Sequence, residues 1–343
     1  MDILKNPYRS VGLDHPDLLE MPWTAADAAP PQALVAKCPR ATITPLIDAK
    51  AFASELGVGA LHIKDERDRM GLGSFKALGA AYVIACDAAA GRAAGQTYVT
   101  ASAGNHGLSV AAGAQAFGAQ AQVYIAETVP EAFAERLRSH GAEVVRKGSV
   151  YEDSMAAAAQ AADDEGLILL SDSSWPGYFE RPHRLMEGYL ILMAEAVSQM
   201  PEPPTHIFLQ AGVGGLAGAC AAHARLVWKD RPQIIVVEPE TAPALAASIG
   251  AGAPVVASGP VSTMGRLDCK EPSLIALKSL ARDADVFMTI SEQEGLAGAA
   301  RAQAAGFAST PSGAAGIAGL CCGAQELGLT DQARVLVVLS EAA

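Results

Sequence analysis

The chain has 343 residues, half of them hydrophobic and 33 of them glycine, with aromatics at only 5% and a formal net charge of −12. That length and an Ala/Gly-rich composition fit a two-lobed α/β protein with tightly packed helices, not a β-sandwich. The negative charge argues against nucleic acid and against an anionic membrane surface as partners, so any anion site must be built locally from backbone N–H groups and a few cations.

Six cysteines fall without ligand-pair spacing, so neither a zinc site nor a disulfide framework is indicated. No N-terminal segment has the form of a signal peptide, and no apolar run approaches the ~20 residues that span a bilayer; the chain reads as cytoplasmic. Residues 1–40 carry several prolines and little periodicity, and read as a wrap on the outside of a lobe. A helix over 47–56 and a strand over 60–64 come next, then the charged run 65–69 and a glycine-flanked loop that enters a helix from Lys76 to Ala90. From Gln96 the pattern is regular: strands over 97–101, 122–126, 143–147 and 167–171 alternate with helices over 107–117, 131–140 and 152–164. The second half repeats that grammar with strands over 206–211, 233–238, 286–291 and 334–340, and with helices ending at Trp228 and covering 292–305 and 313–327. Such alternation makes parallel sheets with right-handed crossovers, and 97–180 reads as a small lobe. Open sheets of this kind hold ligands beyond the carboxyl ends of their strands, so the loops after strands are where chemistry belongs.

Lys76 lies between Phe75 and Ala77, with glycines at 71, 73 and 79 around it. A lysine among apolar groups is disfavoured in its charged form, so its pKa falls and its amine becomes nucleophilic. That is the preparation for a Schiff base to a carbonyl or to pyridoxal phosphate, against the plainer alternative of a lysine snorkelling from a helix start. Ala101-Ser102-Ala103-Gly104-Asn105-His106-Gly107 follows a strand and opens a helix, where backbone N–H groups with Ser102 and Asn105 suit a carboxylate. An ordinary N-cap turn uses the same residues, and His106 fits a structural role equally well. Gly212-Val213-Gly214-Gly215-Leu216 is a second strand–loop–helix turn, open enough for a phosphate to approach the main chain. A dinucleotide is its rival, with Glu238 ending the next strand, but a nicotinamide leaves Lys76 unexplained. Ser340, after the last strand, offers a hydroxyl to a heterocyclic nitrogen. An amine nucleophile, a carboxylate cradle, a phosphate cradle and a ring-nitrogen partner are what pyridoxal phosphate with an amino-acid substrate requires.

These residues also carry a resemblance. Lys64-Asp65-Glu66-Arg67-Asp68-Arg69-Met70-Gly71-Leu72-Gly73-Ser74-Phe75-Lys76-Ala77-Leu78-Gly79, Thr263-Met264-Gly265-Arg266-Leu267-Asp268-Cys269 and Pro311-Ser312-Gly313-Ala314-Ala315-Gly316 are similar to fold-type II pyridoxal-phosphate enzymes. That group holds serine/threonine dehydratases, serine racemase and the tryptophan synthase β-subunit, and the likeness is greatest to 2,3-diaminopropionate ammonia-lyases. It spans 44–340 and implies a tryptophan synthase β-like α/β fold of two open, twisted, mostly parallel sheets covered by helices. Residues 1–96 with 181–343 would form the large cofactor-binding domain, and 97–180 the small substrate-side domain. By the same resemblance Lys76 holds pyridoxal phosphate and later moves the α-proton, Phe75 packs by the ring and Asn105 bonds the 3′-oxygen. Gly212, Val213, Gly214, Gly215 and Leu216 hold the phosphate, Ser340 meets the pyridine nitrogen, and Ser102, Ala103, Gly104, Asn105 and His106 hold the substrate carboxylate. The implied activity is an ammonia-lyase that eliminates a β-amino or β-hydroxyl group from an L-amino acid (2,3-diaminopropionate, serine, threonine or 3-hydroxyaspartate type) to give a 2-oxo acid and ammonia. A cysteine-synthase-like β-replacement enzyme and a nicotinamide-dependent oxidoreductase are the alternatives. A homodimer acting on a small amino acid is implied as well.

Three regions depart from the relatives. Position 103 is alanine where diaminopropionate ammonia-lyases have an aspartate that serves the D-enantiomer; alanine moves no proton, so turnover restricted to L-substrates is expected. Arg266 and Lys270 stand where relatives commonly have glycine, and would read an acidic or amino-bearing substrate group unless they belong to a solvated loop with Lys270 paired to Glu271. Glu238-Pro239-Glu240 aligns with a cation-binding region of some dehydratases, but Ala244 replaces the downstream acid, so no metal site is expected.

Overall fold

The structure, a computed structural model, describes all 343 residues. Strand β1 (Asp2–Lys5) leads through short helices α1 (Pro16–Leu19) and α2 (Ala29–Val35) to β2 (Leu46–Asp48), α3 (Lys50–Leu56) and β3 (Ala60–Asp65). A 3-10 turn at Arg69–Gly71 delivers α4 (Lys76–Ala89). Then come β4 (Thr97–Ala101), α5 (Asn105–Ala116), β5 (Gln120–Ile125), α6 (Glu131–Ser139), β6 (Ala142–Arg146), α7 (Tyr151–Glu165) and β7 (Ile168–Leu169). The chain continues through α8 (Glu180–Gln199), β8 (His206–Gln210), α9 (Gly215–Trp228), β9 (Gln233–Pro239), α10 (Ala244–Ala251) and α11 (Leu274–Asp283). It closes with β10 (Val286–Ile290), α12 (Glu292–Ala304), α13 (Ala315–Gly323) and β11 (Arg334–Leu339).

The strands form two sheets. Seven run in the order β1-β10-β9-β8-β11-β3-β2, antiparallel only at the two edges, and four run all-parallel as β6-β5-β4-β7. The central strands of the larger sheet read as unbroken apolar runs, Ile234–Val237 and Val335–Leu339, because helices cover both of its faces. The main core lies between the sheets, where α4, α5, α8 and α9 pack together; α3, α12 and α13 cover the outer face of the large sheet. Helix α7 covers the outer side of the small one. The strands of both sheets therefore end toward shared ground, where Lys76, Asp172, Asn105 and Glu341 meet.

Several elements differ from the sequence-based expectation. The helix expected over 47–56 is a strand and a shorter helix, because Leu46–Asp48 pairs antiparallel with His62–Lys64 before α3 begins at Lys50. The N-terminal wrap starts as an edge strand, with Asp2–Lys5 paired to Val286–Thr289. The strand over 167–171 shortens to Ile168–Leu169, and the helix over 313–327 to Ala315–Gly323. The longest helix, α8, is not singled out by patterning, since its apolar residues spread around most of its surface.

Candidate active site

Lys76 is delivered by a segment whose own side chains fix its path. After β3, the main chain turns through Met70 at φ +54, a left-handed conformation rare outside glycine. A buried four-charge network holds that turn. Arg69 meets Glu66 through Nε and Nη2, both at 2.7 Å, and Glu195 through Nη1 and Nη2 at 2.9 and 2.7 Å. Lys64 Nζ donates to Glu195 at 2.7 Å and to the Thr44 carbonyl at 2.7 Å. Two cations face two carboxylates, so the network is neutral and its hydrogen bonds are satisfied, the condition under which charges can be buried. It ties α8 to the loop. The Phe75 N–H then donates to the Ser340 carbonyl at 3.0 Å, so the lysine starts α4 beside the end of β11.

The Lys76 ammonium sits 2.5 Å from Asp172 Oδ2. It also lies over the Phe75 and Tyr189 rings, at 5.3 and 5.8 Å from their centroids. Burial pushes the lysine pKa down, as the apolar flanks suggest, but the Asp172 carboxylate outweighs burial and holds it well above its ordinary value. The sequence-based expectation of a depressed pKa is thereby reversed in this structure. Its cause is a carboxylate ninety-six positions away. For Asp172 burial acts upward, and the charge and hydrogen bond of Lys76 overcome it, holding the carboxyl well below the usual carboxylate range.

The loop after β4 enters α5 with its first turn uncapped by any side chain. Ser102 Oγ accepts from the Gly104 N–H at 3.2 Å. His106 Nε2 meets the Leu170 carbonyl at 2.8 Å, Nδ1 is buried without a partner, and burial pushes its pKa down, so the ring is neutral. Asn105 donates to Glu341 Oε2, so in this structure its amide is turned to a carboxylate of the last strand's end. Arg266 reaches over the loop: Nη1 donates to the Ala103 carbonyl at 2.8 Å and Nε lies 3.8 Å from Glu341. A Cβ on Gly104 would stand 2.8 Å from Arg266 Nη1, so the guanidinium would have to shift to admit one. Lys270 differs from both sequence-based alternatives. Its ammonium is held by the Thr241 and Pro260 carbonyls and by Asp268 at 2.7, 3.0 and 2.7 Å, not by Glu271, and it fastens its own loop.

Between β8 and α9, residues 212–216 turn with Gly214 at φ +101 in the N-cap position, and no side chain caps the helix. A Cβ there would meet Ala276 at 2.9 Å, so the tight turn belongs to glycine on both counts. The first N–H groups of α9 are left for a ligand, and the positive end of the helix favours an anion. Cys269 Sγ lies against Gly212, its thiol pushed up to about 12 by burial and hence protonated. Ser340 is buried at the end of β11, its N–H on the Gly313 carbonyl. Glu238, the acid that a dinucleotide would need, accepts instead from the Leu245 and Ala246 N–H groups at 2.8 Å each. It caps α10.

Lys76, Phe75, the 102–106 loop, Arg266, the 212–216 loop and Ser340 are thus drawn toward one region. Asp172, Tyr189 and Glu341 stand with them and are missed by sequence reasoning. Only the position of Asp172 and Glu341 just past strands was available as a signal.

The chain is similar to known proteins over most of its length. The family described as pyridoxal-phosphate dependent enzyme matches residues 39–341. The diaminopropionate ammonia-lyase of Salmonella typhimurium is 35% identical over 284 residues, covering 75% of this chain and 70% of that one. The enzyme of the same description from Escherichia coli K12 is 34% identical over 272 residues, 73% and 68% of the two chains. The crystal structure of diaminopropionate ammonia lyase from Escherichia coli, in complex with an aminoacrylate-PLP azomethine reaction intermediate, superposes with a TM-score of 0.88 at 28% identity, covering 99% of this chain and 93% of that one.

Proposed function

From the premise that the chain belongs to the pyridoxal-phosphate dependent enzymes, we propose that its substrate is a 2,3-diamino acid of the L-configuration, 2,3-diaminopropionate in the simplest case. The chain is a pyridoxal-phosphate-dependent ammonia-lyase acting by β-elimination on an amino acid. The cofactor fits the residues present: one half-buried lysine amine, a glycine turn that a Cβ at Gly214 would fill, an uncapped helix start, and a serine hydroxyl in place of an acid at the strand end. When bound, it supplies the electron sink that loosens the Cα proton and the β-bond.

The protein's own part is assigned residue by residue. Lys76 would hold the cofactor and, as a free amine beside the bound substrate, take the Cα proton at Nζ. Gly212, Val213, Gly214, Gly215 and Leu216 receive the phosphate, Ser340 the pyridine nitrogen, and Phe75 packs by the ring. Ser102, Ala103, Gly104, Asn105 and His106 surround the substrate carboxylate, with Arg266 bracing that loop across Ala103. Lys270 is left to its own loop.

The observation that carries the substrate choice is the 2.5 Å contact of Lys76 with half-buried Asp172. While Lys76 is a neutral amine able to take the Cα proton, Asp172 would be a half-buried carboxylate in need of a cation. A β-ammonium supplies one. That group leaves as neutral ammonia with the bonding pair and needs no acid, whereas a hydroxyl needs a proton that an ionised Asp172 does not hold. Hydrolysis of the remaining enamine and imine releases the second ammonia and a 2-oxo acid.

Asp172→Asn keeps the volume and removes the charge. Its kcat/KM for L-2,3-diaminopropionate is expected to fall about 100-fold, as loss of a buried charge partner costs about 3 kcal/mol, while that for L-serine falls no more than about tenfold. An equal fall for both contradicts the assignment. Ala103 adds a second expectation. Without a proton-moving group there, D-substrates should turn over at least ~100-fold more slowly than L-substrates, the low end of a general base's contribution. Comparable rates for the two enantiomers in the ammonia assay contradict it.

The proposal takes residues 97–180 as the substrate-side domain and the rest as the cofactor domain; support comes from the smaller sheet, whose strands all fall within Thr97–Leu169. No helix is long and apolar enough to cross a membrane. A cytoplasmic homodimer is part of the same proposal, and sedimentation of the purified chain at half the expected dimer mass would remove that part.

A further inference from the structure

We propose that the Tyr189 hydroxyl donates a hydrogen bond to the phosphate of the cofactor, a phosphate ligand supplied by α8 in addition to the glycine turn before α9. The inference rests on the pyridoxal-phosphate assignment and adds a residue to it. Tyr189 is 1% exposed, and its hydroxyl is buried with no hydrogen-bond partner in the protein. An unmade bond of this kind costs stability, and a buried tyrosine usually reaches a partner. Phenylalanine would fill the same space without that cost, so the hydroxyl points to a group that the protein itself does not provide.

The position of the ring says where that group lies. Its centroid is 4.8 Å from that of Phe75 and 5.8 Å from the Lys76 amine. A Cβ placed on Gly79 would be 2.6 Å from Cε1, and one placed on Gly215 would be 3.6 Å from Cε2. The phenol is therefore wedged between the first turn of α4, which carries Lys76, and the first residue of α9, whose N–H groups no side chain caps. Burial pushes the phenol pKa up, so it stays protonated and acts as a donor. A donor hydroxyl beside the positive end of a fourteen-residue helix suits an anion with several acceptor oxygens. The hydroxyl also faces the Lys76 amine, but that amine pairs with Asp172 at 2.5 Å and would be tied to the cofactor in the loaded protein, which leaves the hydroxyl to the anion.

The test is a four-way binding comparison on the full chain stripped of cofactor, wild type against Tyr189→Phe, each titrated with pyridoxal phosphate and with pyridoxal, which lacks the phosphate. Loading is followed by the change in visible absorbance. Tyr189→Phe is expected to weaken pyridoxal phosphate about tenfold, the size of one hydrogen bond to a charged group, and to leave pyridoxal within twofold. No change with pyridoxal phosphate overturns the proposal. So does an equal loss with both compounds, which would place the hydroxyl on Lys76 or on the ring. A wild-type chain that shows no absorbance change with either compound would instead sink the cofactor assignment, a result distinct from both.

Discussion

Lys76→Ala is expected to lose the visible band of the loaded protein and roughly 10⁴-fold or more of its turnover, because one side chain both holds the cofactor and takes the Cα proton. The same change has a second consequence in the cofactor-free form. It leaves Asp172 half-buried beside an empty space where an ammonium stood at 2.5 Å, and a charge stripped of its partner at that depth costs up to about 3 kcal/mol. The pH dependence gives the sign. In the cofactor-free wild type, the Asp172 pKa is depressed below its unfolded value, so its contribution is present above that value and fades as pH falls below the ordinary carboxylate range. In the variant burial is the largest remaining influence, the carboxyl pKa rises above the unfolded value, and stability is recovered as pH falls and the group takes a proton. The gap in thermal midpoint between cofactor-free wild type and variant should thus narrow from pH 7 to pH 5. A gap that widens toward acid would mean Asp172 is not charged against Lys76.

Glu195→Ala should be the most damaging change away from the chemistry. Glu195 accepts from Lys64 at 2.7 Å and from Arg69 at 2.9 and 2.7 Å, and all three side chains are buried. Removing it leaves two cations with Glu66 alone, at a cost of about 3–5 kcal/mol, or a fall of about 4–7 °C in midpoint for a chain of this size. Glu195→Gln keeps the volume and one acceptor and should fall by less. Because Arg69 also fixes the turn through Met70 that delivers Lys76, weaker cofactor retention on dialysis should accompany the fall. A Glu195→Ala protein with an unchanged midpoint would show the network to be incidental.

Much of this arrangement is legible in the sequence where local physics decides it. The strand–helix alternation from Thr97 to Arg146 is written in apolar runs punctuated by Gly and Pro, and the loops at 102–106 and 212–216 announce themselves by small residues between a strand and a helix. Lys76 is legible by its glycine-rich, apolar company. What escapes is whatever depends on chain brought from far away. The charge state of Lys76 is set by Asp172, and apolar flanks alone predict the opposite sign. Arg266 looks like a free cation in its loop, yet it is fastened to the Ala103 carbonyl 163 positions earlier. Tyr189 sits in a helix whose apolar residues surround it on most sides, so nothing in the local pattern marks its unpaired hydroxyl. The short β2 is misread as helix because its pairing partner, β3, decides its conformation and the intrinsic preference of Leu46–Asp48 does not.

The most direct measurement is the absorbance of the loaded chain during titration with L- and D-forms of 2,3-diaminopropionate, serine, threonine and 3-hydroxyaspartate, with ammonia and 2-oxo acid assayed together. The account predicts that the band shifts and turnover is fastest with L-2,3-diaminopropionate, releasing two ammonia molecules for each 2-oxo acid. Preference for a β-hydroxy amino acid, with one ammonia for each 2-oxo acid, would contradict the role given to Asp172.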